Sequence, residues 1–183
     1  MTPNRSVVLY IAMSLDGYIA AQNDDLSFLA TVEQTGEDYG YAAFIETVDT
    51  VIMGRKTFDW VWDALGHVPH PHIETYVITG TPREAIGRTQ FYTDNLIDLV
   101  QRLKQQTGKR IYCDGGAQVA QALWAEHLIN EMIISVVPVF LGEGTRLFQG
   151  GYSPQNWKTV SVRSFSSGLV QIHYKHSLFA MND

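Results

Sequence analysis

Four stretches of the sequence hold residue types that could do chemistry. Met53-Gly54-Arg55-Lys56-Thr57 lies where an apolar, strand-like run meets a helix-like one. A helix start presents unpaired backbone N–H groups and the positive end of the helix dipole, so it attracts phosphate. Gly54 lets a ligand approach the backbone, Arg55 and Lys56 add positive charge, and Thr57 adds a hydroxyl donor. A glycine turn followed by two solvated basic residues accounts for the same five residues equally well. Asp114-Gly115-Gly116-Ala117 marks a second strand-to-helix junction, where two glycines permit a tight turn and close approach to a pyrophosphate. It is not a Gly-x-Gly-x-x-Gly fingerprint, and a plain connection uses the same residues. Two such junctions in one mostly parallel sheet raise the odds of a dinucleotide, because ligands gather at the carboxyl ends of strands.

The third stretch, residues 12–20, runs from a buried strand into an irregular loop whose small and apolar residues could line a flat ring. The fourth is the acidic group Glu33, Glu37 and Asp38. A carboxylate there on a buried side would hold a proton at raised pH. On an exposed first turn it would only cap a helix, and the local sequence favours the cap. His67, His70 and His72 have no nearby cysteine and share their segment with two prolines, so they read as a surface loop rather than a metal site. His173 and His176 sit at odd spacing in a strand and point to opposite faces. Cys113 reads as a small buried hydrophobe, and the tyrosines and tryptophans as core and interface.

These groups need a scaffold. Residues 7–13 form an apolar, β-rich run that reads as a strand buried on both faces. Residues 14–35 read mostly as loop. Helical spacing appears over 37–48, 56–65, 95–106 and 117–126; Asp94 or Asn95 caps the third of these and Gly108 stops it. Strands are expected at 51–53, 74–79, 89–93, 110–113 and 130–139, with a closing hairpin of 157–165 and 169–178. The early strands are joined through helices and the last ones by turns. That order predicts an α/β fold with a mixed sheet, mostly parallel and then antiparallel, and helices on both faces. No repeat or linker interrupts it, so residues 1–183 are read as one domain.

Composition removes other classes of function. The 183 residues carry a net charge of −6 and no basic stripe, which argues against binding nucleic acid backbones. The first apolar run is too short to span a membrane and makes a poor signal peptide. A single cysteine forbids an intrachain disulfide and suits a reducing compartment, so a cytoplasmic protein is expected.

Taken together the stretches resemble the dihydrofolate reductase superfamily, and most closely its riboflavin-biosynthesis reductase branch, the C-terminal domain of bifunctional deaminase-reductases. Three blocks carry the likeness in order: residues 10–20, Val51-Ile52-Met53-Gly54-Arg55-Lys56-Thr57-Phe58, and Asp114-Gly115-Gly116. A fourth, residues 135–148, is similar to the riboflavin branch alone. The resemblance implies a three-layer α/β/α sandwich and an NADPH-dependent reductase acting on a pterin- or pyrimidine-like substrate. The model activity is that of 5-amino-6-(5-phosphoribosylamino)uracil reductase; dihydrofolate reductase proper and a non-catalytic nucleotide-binding protein are the alternatives. By matching position, Ala12 and Ile19 would flank the nicotinamide. Gly54, Arg55, Lys56 and Thr57 would serve the adenosine-side phosphates, and Asp114, Gly115, Gly116 and Ala117 the pyrophosphate. Thr79, Gly80 and Thr81 would lie near the 2′-phosphate, and Asp38 would take the place of the substrate-binding carboxylate. The 21–28 loop has Leu26-Ser27-Phe28 instead of the Pro-Trp pair of dihydrofolate reductase, and no deaminase motif occurs. A homodimer is expected from the apolar segment 138–148.

Overall fold

The computed structural model describes residues 5–151 and 153–178. The chain runs through β1 (Val7–Ser14), β2 (Tyr18–Ala20), two short 3-10 helices (Gln22–Asp24 and Ser27–Val32), α1 (Tyr41–Ile45), β3 (Val48–Gly54) and α2 (Arg55–Leu65). It continues through β4 (Glu74–Ile78), β5 (Thr89–Tyr92), α3 (Leu96–Lys104), β6 (Arg110–Gly115), α4 (Ala117–Ala125), β7 (Glu131–Val137), β8 (Thr145–Arg146), β9 (Trp157–Ser164) and β10 (Val170–His176). Eight strands form one sheet in the order β5-β4-β3-β6-β1-β7-β10-β9. The first six are mutually parallel, and β10 then runs antiparallel to both β7 and β9. The architecture is therefore the expected mixed α/β sheet with an antiparallel C-terminal pair.

Alternation along β1 sorts the core into two layers. Val7 and Leu9 point to the face covered by α3 and α4, where they meet Leu99, Leu103, Leu123 and Trp124. Val8 and Tyr10 point to the other face and meet Phe44 of α1 and Phe58 of α2. Helix α3 begins at Asn95, whose side chain accepts hydrogen bonds from the N–H groups of Ile97 and Asp98. It ends at Lys104, short of the expected stop at Gly108.

Two expectations change. The helix over 37–48 shrinks to Tyr41–Ile45, because Tyr39 and Gly40 both adopt left-handed backbone, with φ of 58° and 85°. Val48 then belongs to β3, which pairs with β4 and β6 instead of extending the helix. The 14–35 region also holds β2, which pairs with β8 from residues 145–146. At that contact a Cβ on Gly144 would lie 2.1 Å from the Ala20 carbonyl oxygen, so only glycine allows the approach. The expected domain limits take in residues 1–4, 152 and 179–183, which lie outside the described residues.

Candidate active site

The sheet opens between two of its central strands. β1 pairs with β6 only as far as Leu9 and Cys113, whereas it follows β7 to Ser14 and Val137. The connections after β1 and β6 also leave on opposite faces, toward α1 and toward α4. A crevice at such a reversal is where open α/β sheets hold ligands. Here it is a cavity of about 1290 Å³ that wraps over the carboxyl ends of the strands. One face of the sheet gives it Ile11, Leu96 and Val119; the other gives Tyr10, Tyr41 and Tyr112.

One end of the cavity is built from two helix starts. Gly54 through Thr57 and Gly116 through Val119 all line it. Neither α2 nor α4 has a side-chain cap, unlike α3. Their first N–H groups therefore face the cavity without a side-chain acceptor, which is the arrangement an anion fills. The Gly116 N–H donates to Thr57 Oγ1 over 3.1 Å and ties the two starts together. The basic residues are already engaged. Arg55 meets Asp59 at 2.6 Å, and Lys56 meets Asp24 at 3.0 Å. Exposed pairs of this kind are worth at most about 1 kcal/mol, so a phosphate can displace either partner.

Ala12, Ile19, Thr79 and Gly80 also line the cavity. Thr81 and Gly115 do not. The Thr81 N–H turns back onto Thr79 Oγ1 at 3.1 Å. Gly115 is buried at φ 104°, where a Cβ would stand 3.2 Å from Ile11 Cδ1. It shapes the turn and leaves the cavity to its neighbours.

The cavity wall also holds carboxyl groups, and Asp38 is not among them. The Asp38 carboxylate is exposed, stands apart from the cavity lining, and accepts the N–H groups of Gly40 at 2.8 Å and Ala42 at 2.9 Å. Those two hydrogen bonds hold its pKa below the ordinary value. Asp38, the carboxylate expected from alignment, shapes the turn before α1. Of the lining carboxyls Asp24, Asp114 and Glu143, the one with a raised pKa is that of Asp114. β3 pairs Ile52 with Cys113 and then Met53 with Gly115, so Asp114 is the extra residue of a bulge. Alternation along β6 keeps its carboxyl on the Tyr112 face, at the crevice. Burial raises the Asp114 pKa to about 6, and the hydrogen bond from the Tyr112 hydroxyl only partly offsets it. The sequence reading assigned Asp114 to the cofactor and treated the tyrosines as core. Their signal was the period of two along β6, which puts Tyr112 and Asp114 on one face.

Residues 5–171 match the RibD C-terminal domain family. The chain belongs to that family. Two uncharacterised Bacillus subtilis (strain 168) relatives are similar over nearly their whole lengths. YwjB is 37% identical, covering 93% of this chain and 97% of its own, and YyaP is 33% identical, covering 93% and 94%. Among solved structures, a candidate riboflavin biosynthesis protein from Shewanella sp. PV-4 superposes with a TM-score of 0.85 at 29% identity, over 94% of this chain and 99% of that one. The Thermotoga maritima deaminase/5-amino-6-(5-phosphoribosylamino)uracil reductase gives 0.70 at 16% identity, and this chain spans 57% of its length. Dihydrofolate reductase from Enterococcus faecalis gives 0.63 at 15% identity, covering 94% of this chain and 96% of that one. The last two share the fold. This member of the RibD C-terminal family thus has the riboflavin-pathway reductase-like, dihydrofolate reductase-like architecture.

Proposed function

We propose that this chain is an NADPH-dependent reductase that passes hydride to an electron-poor C=N or Schiff-base carbon of a flat, pterin- or pyrimidine-like heterocycle. One observation carries the reading: a single cavity joins two uncapped helix starts to a half-buried carboxyl group. Its volume, about 1290 Å³, exceeds what one drug-sized ligand needs and suits a dinucleotide with a second ring beside it. The family supports the reading, as do the uracil reductase activity named for the Thermotoga maritima protein and the NADP(H) held by the Enterococcus faecalis enzyme.

The bound cofactor supplies the hydride, and the protein supplies orientation, exclusion of water and a proton. The N–H groups at the starts of α2 and α4 hold the pyrophosphate. Arg55, Lys56 and Thr57, with Thr79 and Gly80, hold the remaining 2′-phosphate, Arg55 and Lys56 leaving Asp59 and Asp24 to do so. Ala12 and Ile19 offer small and apolar surfaces to a flat ring. Asp114 keeps its proton up to about pH 6 and gives it to the substrate nitrogen as hydride reaches the carbon, turning C=N into CH–NH. The exposed ring of Phe140, 75% accessible within the 138–148 segment, supports a homodimer, which light scattering tests.

The test of the reading is a tryptophan-fluorescence titration with NADPH and, in parallel, NADH. Saturable NADPH binding tighter than NADH is expected. An absorbance screen against dihydrofolate, dihydropterins and the phosphoribosylamino pyrimidine then finds the substrate. No binding of either nucleotide at high micromolar concentration removes the reading.

A further inference from the structure

Charge is unevenly spread around the cavity. All 13 lysines and arginines of the chain lie among the described residues, and Arg55, Lys56 and Arg146 are those that line it. Arg55 and Lys56 open α2, beside the uncapped N–H groups that suit the cofactor's phosphates. Arg146 stands on β8. Its guanidinium lies 4.4 Å from the centre of the Tyr18 ring, and its Nη1 donates to the Asp16 carbonyl oxygen at 3.3 Å. Glu143 lines the cavity from the same segment and brings the opposite charge.

The wall around Asp114 is built from rings instead. Tyr10, Tyr41 and Tyr112 meet edge to face, with centroids 5.7 to 6.5 Å apart. The Tyr112 hydroxyl donates to Asp114 Oδ1. Burial and that hydroxyl are what act on the Asp114 carboxyl. His70 touches Tyr41 at 2.9 Å, but burial holds its pKa below 6.5, so it brings little charge at pH 7.5. Tyr10 feels Arg163, yet Asp38 and Glu37 act on it in the opposite sense. Arg163 itself is outside the cavity lining, 4.8 Å from the centre of the Phe165 ring.

We propose that the ring bound beside the cofactor carries no phosphate: this chain takes a neutral, amino-bearing heterocycle or its nucleoside and disfavours the 5′-phosphorylated form. The inference rests on the reductase reading above, in which the cofactor occupies Arg55, Lys56 and both helix starts. A phosphate monoester carries about two negative charges at pH 7.5. Its usual partners are cations and free helix starts, and here the cofactor has taken both. Once Lys56 leaves Asp24 for the cofactor, Asp24 faces the cavity as a further unpaired carboxylate. A second phosphate would then share a partly desolvated space with Asp24, Asp114 and Glu143, opposed by Arg146 alone. A neutral ring escapes that repulsion, and its amino or ring N–H groups can donate to the Asp114 carboxyl.

The ligand named for the Thermotoga maritima protein supplies a matched pair of probes. One is 5-amino-6-(5-phosphoribosylamino)uracil; the other is the same molecule without its phosphate. Both are titrated calorimetrically into the full chain at pH 7.5, with saturating NADP+ and again without nucleotide. NADP+ fills the phosphate sites and has no hydride to give, so binding is read apart from turnover. With NADP+ present, the phosphate-free probe is expected to bind at least about 10-fold tighter. Asp114→Asn should narrow that gap by tightening the phosphorylated probe. Arg146→Gln should leave the phosphate-free probe within about two-fold of wild type, since a neutral ring has no charge for it to meet.

Equal or tighter binding of the phosphorylated probe overturns the proposal, and so does failure of both probes to bind. A phosphorylated probe that binds tighter and loses its advantage in Arg146→Gln would make Arg146 a substrate-phosphate site. NADPH binding with a preference for the phosphorylated probe keeps the reductase reading and removes this inference. A preference for the phosphate-free probe in a chain that binds neither nucleotide keeps the charge preference and removes the reductase reading.

Discussion

The turn at Asp38 and the bulge at Asp114 place the same side chain in opposite circumstances. Asp38 is exposed, accepts two backbone N–H groups, and is held below its ordinary pKa. Asp114 faces a crevice, accepts one hydroxyl, and rises to about 6. The first arrangement stabilises a negative charge and so binds no proton at neutral pH. The second stores a proton close to the working pH of an enzyme. The proton affinity of each carboxyl here is set by what surrounds it, and its distance in sequence from a glycine or a helix is a poor guide to that.

The largest separation between the two should appear in turnover. Asp114→Asn is expected to lower kcat by about 100-fold or more, the usual scale for losing a positioned acid, and to leave NADPH binding within a few-fold. Asp38→Asn keeps an acceptor for the turn and should leave kcat unchanged. Equal losses in steady-state assays of the two variants would break the comparison.

Stability against pH should separate them by sign. Asp114 in the folded protein keeps its proton where an ordinary aspartate, at 3.8, has lost it. Its contribution to stability therefore falls as pH rises from about 4 through about 6. Above that window the loss reaches at most about 3 kcal/mol for a shift of this size. Asp114→Asn should thus gain stability over wild type at pH 7.5 and lose that gain by pH 4. Asp38 contributes in the opposite sense. Its charge is favoured in the folded state, so its stabilisation is present above 3.8 and is lost as pH falls through its lowered value. Asp38→Ala should be less stable than wild type at pH 7.5, with the difference closing in acid. Urea denaturation at several pH values measures both.

The smallest expected effect sharpens the cause of the Asp114 shift. Tyr112→Phe removes the one hydrogen bond that favours the carboxylate and leaves the burial. The midpoint of the high-pH limb of the kcat profile should move upward from about 6. A downward move would mean that burial is not the dominant influence.

Much of the scaffold was legible one element at a time. The apolar 7–13 run gave β1, Asn95 gave the start of α3, and the two glycine junctions gave the starts of α2 and α4. These are local signals, set by side-chain periodicity and by backbone groups within a turn of one another. The 37–48 helix failed because the apolar spacing of Tyr41, Phe44, Ile45 and Val48 also suits a short helix leading into a strand. β2 escaped notice because its partner, β8, lies more than 120 residues away. The tyrosines read as core and interface, and Tyr112 is buried, yet the contact of its hydroxyl with Asp114 shows only in the folded chain.

The sequence by itself determined the order of strands and helices, the mixed sheet, and both glycine-rich helix starts, since each depends on neighbours along the chain. Only the tertiary structure decided which aspartate lines the cavity and which stays at the surface. That choice depends on where β1 parts from β6 and on a bulge one residue wide. Burial and charge are properties of the space around a group, and that space is filled by residues far apart in sequence.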